Sequence, residues 1–423
     1  MDLQSLVERT ATRFGLPGLV AAVSREGSPV CAEWGFGNVD AVFPIASVTK
    51  TYTAHRILEL AAQGGLDLES PLSVQLPGFR LLDPDATAAL TVRDALCHFS
   101  GLPPHTWAWV YGDLNRREWI LERLPNLPLA GAPREKHRYS NILYAVLGLL
   151  IEQVTGESWE EDLQHGFLSP PILLSPETVT SAPTPYAMTE NGMEELPGGI
   201  VKTHHLIGPA SECMASVPQL AEWGLQVLAS PYFSRLSTAQ NIVSRTRPHA
   251  AMGVLEYGLG WRRDTVNGRT RVWHSGQCSG YTSLLSLDPE KGQVFSAACN
   301  VSGAVEVLHA MDLFVREGID PEWASVQCRT RSGMDARPAV EGQIPLGRFH
   351  HPGYGDVEVR RLGQGLESVF QHVARAPLQV GEDMGLRLTL AEFGVSFPLE
   401  VLSQDTLKIG FGQEGEETLF SRC

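Results

Sequence analysis

Lysine is scarce in this chain, with only five among 423 residues, so a lysine standing at a motif position carries weight. Basic side chains as a whole are outnumbered, 33 against 48 acidic, for a formal net charge of −15. Such a surface repels phosphate backbones and anionic bilayers, so neither nucleic acid nor membrane is expected as a partner. Long apolar runs are missing too. The longest, Ile142 to Ile151, falls well short of the roughly 20 residues a membrane span needs. Cysteine is sparse and unpatterned: Cys31, Cys97, Cys213, Cys278, Cys299, Cys328 and Cys423 are odd in number and contain no C-x-x-C. They read as buried or free thiols in a reducing compartment rather than as a disulfide framework. His204-His205 and His350-His351 lack H-E-x-x-H or any acidic partner at metal spacing, so they read as loop or core histidines. No metal or cofactor is expected. The opening Met1-Asp2-Leu3-Gln4-Ser5 has no basic residue of an export signal. Leu3, Leu6, Val7, Ala11 and Phe14 recur at helical spacing until Gly15 and Pro17, which predicts an amphipathic helix that packs on a domain. A cytoplasmic protein is the expectation.

What is present has the composition of a soluble globular protein, 43% hydrophobic and 19% charged. The length asks for more than one core. Strand-like stretches at Leu19–Val23 and Cys31–Trp34 precede a long helix from Ser47 to Gln63, stopped by Gly64-Gly65. Helical segments follow at Val92–Cys97, Asn141–Gln153 and Pro218–Leu228. Strand character returns at Gly258–Arg263, Arg271–His274, Thr282–Leu287 and Val294–Asn300, and a helix is expected over Val305–Arg316. Strands at both ends with helices between predict an α/β domain whose termini meet in one antiparallel sheet. Residues 328–345 are rich in Arg, Gly, Ser and Pro and read as a linker. Beyond it, Asp356–Arg361, Leu366–His372, Leu386–Leu390, Ser396–Leu402, Leu407–Phe411 and Thr418–Ser421 alternate like strands and predict a small antiparallel β-barrel. The expected division is 1–327 catalytic, 328–345 linker and 346–423 barrel.

Ser47-Val48-Thr49-Lys50 stands at the start of the long helix, and it is the only Ser-x-x-Lys in the chain. The i,i+3 spacing puts both side chains on one face, so the amine can reach the hydroxyl. A serine hydroxyl is a weak nucleophile that needs an adjacent base, and a partly desolvated lysine can supply one. The helix start also offers unpaired N–H groups and the positive end of the dipole to a developing oxyanion. Tyr139-Ser140-Asn141 precedes an apolar helix and, taken alone, reads equally as a capping turn. His274-Ser275-Gly276 follows a strand and, taken alone, reads as a strand end with a turn glycine.

In this order the three motifs resemble the serine β-lactamase and penicillin-binding-protein superfamily, in its esterase, D-aminopeptidase and peptide-cyclase branch. Phe43-Pro44-Ile45-Ala46, His98-Phe99-Ser100-Gly101-Leu102-Pro103, Trp107-Ala108-Trp109 and Ile151-Glu152-Gln153-Val154-Thr155-Gly156 are similar to it as well. Gly347-Arg348-Phe349-His350-His351-Pro352-Gly353-Tyr354-Gly355 resembles the lipocalin-like barrel that some members append. The resemblance implies a β-lactamase/transpeptidase-like domain with Ser47 as acylated nucleophile. Lys50 and Tyr139 would share acid/base work, and Asn141 would orient the substrate amide. The backbone N–H groups of Ser47 and Gln277 would form the oxyanion hole. Ser275, Gly276, Trp107 and Trp109 would line the substrate. His274 stands where β-lactamases and peptidoglycan carboxypeptidases usually carry lysine; a mostly uncharged histidine argues against a carboxylate contact there. Glu212, in Gly208-Pro209-Ala210-Ser211-Glu212 where many relatives run Pro-Ala-Gly-Gly, reads either as a surface glutamate or as one that projects into the pocket and favours a cationic or amine-bearing substrate.

The implied function is a serine hydrolase or acyltransferase acting on ester or amide bonds of a small molecule or a D-amino-acid-containing peptide, including carrier-bound or thioester-activated peptides. One alternative is a standalone thioesterase that cyclises nonribosomal peptides. Another is a binding protein that has lost turnover, against which the intact Ser47, Lys50, Tyr139 and Asn141 argue. Gly276-Gln277-Cys278-Ser279-Gly280 imitates a nucleophile elbow, but an elbow needs a helix after it and the next residues read as a strand.

Overall fold

The computed structural model of the protein describes residues 2–25, 27–109, 116–166, 172–173, 182–189, 192–196, 205–246, 251–278, 280–319, 337–338, 344–363, 365–370, 374–380, 386–390, 395–411 and 417–423. Helix α1 (Leu3–Phe14) is capped by the Asp2 carboxylate, which accepts from the Ser5 N–H at 2.8 Å. It stops at Gly15, whose φ of 62° suits a residue without a Cβ. Strands β1 (Leu19–Ser24) and β2 (Val30–Trp34) pair antiparallel. Helix α2 (Thr49–Ala62) follows a short 3-10 turn, Ala46–Val48. Helix α3 (Asn141–Thr155) has every residue from Ile142 to Ile151 buried, which explains its apolar composition on all sides. Helix α4 (Val217–Ala229) starts from a reciprocal Ser216–Gln219 capping box.

The remaining strands of the main sheet are β3 (Asn241–Ser244), β4 (Leu255–Tyr257), β5 (Arg262–Val266), β6 (Arg269–Cys278), β7 (Tyr281–Asp288) and β8 (Gln293–Cys299), and helix α5 (Val305–Glu317) follows. Their order is β2-β1-β8-β7-β6-β5-β4-β3, all antiparallel. The early strand β1 therefore lies beside the late strand β8, with Leu19 opposite Cys299. On one face α1 and α5 bury Leu6, Val7, Leu308 and Met311 against Leu284 and Phe295. The other face joins a larger core in which Ala22 and Leu285 share space with Ile57, Ala145 and Trp223 of the helical layer.

Two strand expectations need correcting. Gly258–Arg263 is not one strand: β4 ends at Tyr257, and Gly258 donates its N–H to Trp261 O at 2.7 Å to close a turn. Gly260 in that turn has φ of 79°, and a Cβ there would lie 2.4 Å from Ala54 Cβ, so the turn can press on α2 only with glycine. The strand expected to stop at His274 instead runs on to Cys278, so His274-Ser275-Gly276 lies within the sheet.

Between β5, β6, β7 and α5 sits a buried ionic network. Arg271 bonds Asp264 at 2.6 Å and Asp312 at 3.0 Å, Arg316 bonds Asp288 at 2.8 Å, and Ser286 donates to Asp312 at 2.8 Å.

The C-terminal strands Gly347–His351, Gly355–Leu362, Gly365–Phe370, Ala374–Val380, Leu386–Leu390, Val395–Ser403, Thr406–Gly410 and Glu417–Arg422 build a second antiparallel sheet. It curls so that Leu386–Leu390 pairs with both Ala374–Val380 and Val395–Ser403. Alternate residues such as Val357, Val359, Leu407, Ile409 and Phe420 are buried. The short strand Arg337–Pro338 joins its edge; most of the expected linker lies outside the described residues. Tyr354 fixes this sheet to the first part of the chain, its hydroxyl 2.6 Å from His105 Nδ1 with both side chains buried. Among the described residues no helix is long and apolar enough to cross a membrane.

Candidate active site

The turn before α2 is held from two sides. Strand Val42–Pro44 pairs with Cys213–Ser216, the Ile45 N–H donates to Cys213 O at 2.9 Å, and the Ser283 hydroxyl donates to Ile45 O at 2.9 Å. Strand β6 closes from the third side. A Cβ on Gly276 would stand 1.9 Å from Ile45 O, so only glycine lets β6 lie against the backbone that presents Ser47. Ala46, directly before Ser47, adopts φ of 45°, a left-handed conformation costly for a residue with a Cβ. The chain thus reverses sharply and delivers Ser47 half-exposed at the mouth of the helix.

Lys50 is fully buried, and its Nζ donates to Ser47 Oγ at 3.1 Å, Asn141 Oδ1 at 2.7 Å and Ala210 O at 2.8 Å. All three acceptors are neutral. Burial first, and the Arg262 cation second, lower the Lys50 amine well below its ordinary value of 10.5. The same nitrogen lies 4.7 Å from the Tyr139 ring centroid. Burial pushes the Tyr139 hydroxyl up to about 12, opposed by its hydrogen bond with Ser47 and by Arg262. Near neutral pH the phenol is therefore protonated, whereas the amine is the group made easier to deprotonate.

Tyr139-Ser140-Asn141 does not act as a side-chain cap: the Ser140 hydroxyl makes no capping bond to α3, and the Asn141 side chain goes to Lys50. The Ser140 N–H instead donates to His98 Nδ1 at 3.2 Å, and the His98 ring lies 4.2 Å from the Tyr139 ring. His98 has φ of 58° and burial lowers its imidazole well below the usual range, so it is a neutral prop for Tyr139. Its place in His98-Phe99-Ser100-Gly101 was the signal that could have marked it.

His274 is buried, with Nδ1 2.8 Å from Ser275 O and Nε2 3.1 Å from the Tyr257 hydroxyl. That pattern puts the proton on Nδ1 and makes Nε2 the acceptor. Burial, then Arg262 and Lys50, hold the ring neutral. Ser275 is half-buried and Gln277 exposed on the same strand.

Other expected residues lie elsewhere. Glu212 is buried, and its electrostatic neighbours are Glu160 and Arg117; burial and Glu160 raise its carboxyl well above the usual range. It belongs with the Arg117–Glu152–Glu160 cluster rather than with the groups around Ser47, because Gly208–Ser211 turns as a short helix whose Ala210 carbonyl, not the following side chain, meets Lys50. Trp109 packs in the main core, and the Trp107 side chain lies outside the described residues. Cys278 ends β6, and the chain continues into β7, a strand where an elbow requires a helix; burial pushes its thiol up to about 12. His350 pairs with Asp356 at 2.7 Å and His351 Nδ1 accepts from the Gly353 and Tyr354 N–H groups, so both serve a turn. His204 and the side chain of His205 lie outside the described residues, among which no group of three or more His, Cys, Asp or Glu could hold a metal.

An antiparallel sheet covered by helices on both faces, with a helical layer that presents a serine and a buried lysine one turn apart, is the β-lactamase/transpeptidase class of fold. The family model described as Beta-lactamase matches residues 3–318, and the chain belongs to that family. It is 25% identical over 322 residues to Protein flp of Staphylococcus aureus (strain MW2), covering 71% of this chain and 63% of that protein. It is 23% identical over 349 residues to Unguisins hydrolase ungD' of Aspergillus campestris, covering 74% and 64%. The chain thus spans under two thirds of the length of these curated relatives. Among solved structures, the octameric penicillin-binding protein homologue from Pyrococcus abyssi superimposes with a TM-score of 0.64 at 21% identity, over 99% of this chain and 95% of that one. A D-stereospecific amidohydrolase from Streptomyces gives 0.62 at 20% identity, over 75% and 99%.

Proposed function

We propose that the protein is a serine acyl-enzyme hydrolase acting on amide or ester bonds, with D-amino-acid-containing small molecules or peptides as its substrate class. The observation that carries this reading is the 3.1 Å contact between Lys50 Nζ and Ser47 Oγ in a site whose lysine is desolvated and bonded only to neutral acceptors. The neutral amine accepts the hydroxyl proton as Ser47 Oγ attacks the substrate carbonyl. The Tyr139 phenol, bonded to Ser47, passes a proton to the leaving group as the carbonyl re-forms and the C–N or C–O bond breaks, and the proton that Lys50 took from Ser47 returns to the phenolate, leaving both groups as they began. The acyl group then rests on Ser47 until an acceptor takes it. Asn141 holds Lys50 in place and offers its amide nitrogen to the substrate, and the Ser47 and Gln277 N–H groups receive the oxyanion. The names of the relatives support amide substrates: one is an unguisins hydrolase and another a D-stereospecific amidohydrolase.

Intact-protein mass measured during reaction with a panel of p-nitrophenyl esters, D-amino-acid amides and peptidyl thioesters tests the reading. A transient acyl adduct on Ser47, with the free acid as product, is expected. Product formed only with an added amine would make the protein an acyltransferase or cyclase, and a panel that leaves Ser47 unmodified would refute the proposal.

A further inference from the structure

The turn Gly208–Ser211, which presents the Ala210 carbonyl to Lys50, is gripped from two sides. On the α2 side Lys50 donates to Ala210 O and the Thr53 hydroxyl to Pro209 O, both at 2.8 Å, and the Cys213 N–H donates to Thr49 Oγ1 at 3.1 Å. On the other side lies Arg117. A Cβ on Gly208 would stand 3.2 Å from Arg117 Nη2 and 3.2 Å from Glu160 Oε1, so the turn packs directly on that ion pair. Gly148 of α3 leaves room in the same way: a Cβ there would come 2.2 Å from Pro209 Cγ and 3.5 Å from Arg117 Cδ.

Arg117 is buried, and its guanidinium bridges Glu152 of α3 and Glu160. Glu152 is itself anchored, since it accepts from the Trp159 N–H at 3.1 Å. A planar guanidinium held by two carboxylates has little freedom to withdraw. Glu212, the residue after the turn, has Glu160 and Arg117 as electrostatic neighbours, and its N–H closes the turn on Gly208 O at 3.0 Å. Turn and ionic cluster thus pack as one block. What links Arg117 to Lys50 is the backbone of residues 208–210, whose last two carbonyls both end on α2.

We propose that Arg117 is a positioning residue for acyl transfer: by backing the Gly208–Ser211 turn it holds the Ala210 carbonyl on Lys50, and so keeps the Lys50 amine within reach of Ser47. The inference rests on the acyl-enzyme reading of Ser47 and Lys50. Released from the cluster, the turn can draw back from α2. Lys50 then loses one of its three neutral acceptors, and its amine has room to swing away from Ser47 Oγ. The effect falls on the acylation rate and acts only through Lys50.

The test measures the rate of Ser47 labelling by a fluorophosphonate in wild type, Arg117→Met, Lys50→Ala and the double variant. Arg117→Met should slow labelling about 10²-fold when Lys50 is present, the scale of a misplacement of about 1 Å. In the Lys50→Ala background it should change the rate by less than about twofold, because the group it positions is gone. Equal slowing in both backgrounds overturns the inference. So does a loss of labelled fraction with the rate unchanged, which would show damaged folding instead of positioning. Because Arg117→Met breaks a buried ion pair, Gly208→Ala is a second variant that keeps every charge. Its Cβ meets an Arg117–Glu160 pair that cannot swing aside, so the turn must shift, and labelling should slow roughly threefold or more, again only with Lys50 present. Should Arg117→Met fail to fold, Gly208→Ala decides, and a wild-type rate in that variant overturns the inference. If wild-type Ser47 takes no label, the acyl-enzyme reading itself has failed, an outcome distinct from all of these.

Discussion

Lys50 Nζ lies 3.1 Å from Ser47 Oγ, one helical turn along, and the same nitrogen donates to Asn141 Oδ1 and Ala210 O at 2.7 and 2.8 Å. The contact joins a residue pair close in sequence to two supports far from it. The proposed chemistry depends on the supports being neutral, since a carboxylate in place of either would stabilise the ammonium and disable Lys50 as the proposed base.

The first consequence is in the pH profile. Burial and Arg262 both lower the Lys50 amine, so it loses its proton below the ordinary lysine value of 10.5. Acylation should therefore rise with pH along a limb set below that value, and fall as acid reprotonates the amine. Removing Arg262 takes away one of the two lowering influences, so in Arg262→Gln the limb should move to higher pH. A pre-steady-state acylation rate measured against pH checks both statements. A limb that stays in place in the variant contradicts the second.

Lys50→Ala and Tyr139→Phe should each slow acylation by about 10²- to 10⁴-fold, the scale of a lost positioned acid or base. The two side chains meet the same hydroxyl, so their losses should not multiply. The double variant should be close to the worse single one. Fully multiplicative losses would show two independent groups instead of one proton network.

Gly276→Ala tests the packing that presents Ser47, the proposed nucleophile. The added Cβ would meet Ile45 O at 1.9 Å, and a backbone oxygen bonded by Ser283 cannot swing aside. The turn carrying Ser47 must shift instead, and a displacement of that kind costs about 10²-fold in rate. The loss should appear in kcat/KM with the far-ultraviolet circular dichroism of the folded protein retained.

How legible was this site in the chain? Ser47 and Lys50 could be placed together because i,i+3 on a helix start fixes their separation whatever the tertiary structure. Asn141 and Tyr139 were marked by type and order, and a capping turn explained them equally well; in the structure Ser140 makes no side-chain cap and the Asn141 side chain goes to Lys50. His274-Ser275-Gly276 was read as a strand end; continuation to Cys278 depends on pairing with β7, which local composition does not encode. Glu212 was a pocket candidate from its departure from a familiar string, yet the direction of its side chain follows from how Gly208–Ser211 turns. Arg262 left no mark at all, since its influence on Lys50 and His274 depends on where β5 lies beside β6. The second sheet was readable where residues alternate. Ala374–Val380 was missed because Pro377 interrupts that signal.

Asp312→Ala should be strongly destabilising without touching the site. Asp312 is 1% exposed and accepts from Arg271 and Ser286, so its loss leaves a buried guanidinium short of a partner. Breaking a buried pair in this way costs about 3–5 kcal/mol. Urea unfolding followed by fluorescence should show the midpoint fall, whereas a midpoint unchanged from wild type would mean that water replaces the lost carboxylate.

The most direct measurement is intact mass and peptide mapping after treatment with a fluorophosphonate, which reacts with an activated serine hydroxyl by displacing fluoride. Wild-type protein should gain one adduct, located on Ser47, and Ser47→Ala should gain none while remaining folded. Lys50→Ala should label far more slowly than wild type. An adduct on another serine or on Cys278, or a wild-type Ser47 that stays unmodified, would contradict the assignment of Ser47 and Lys50 as nucleophile and base.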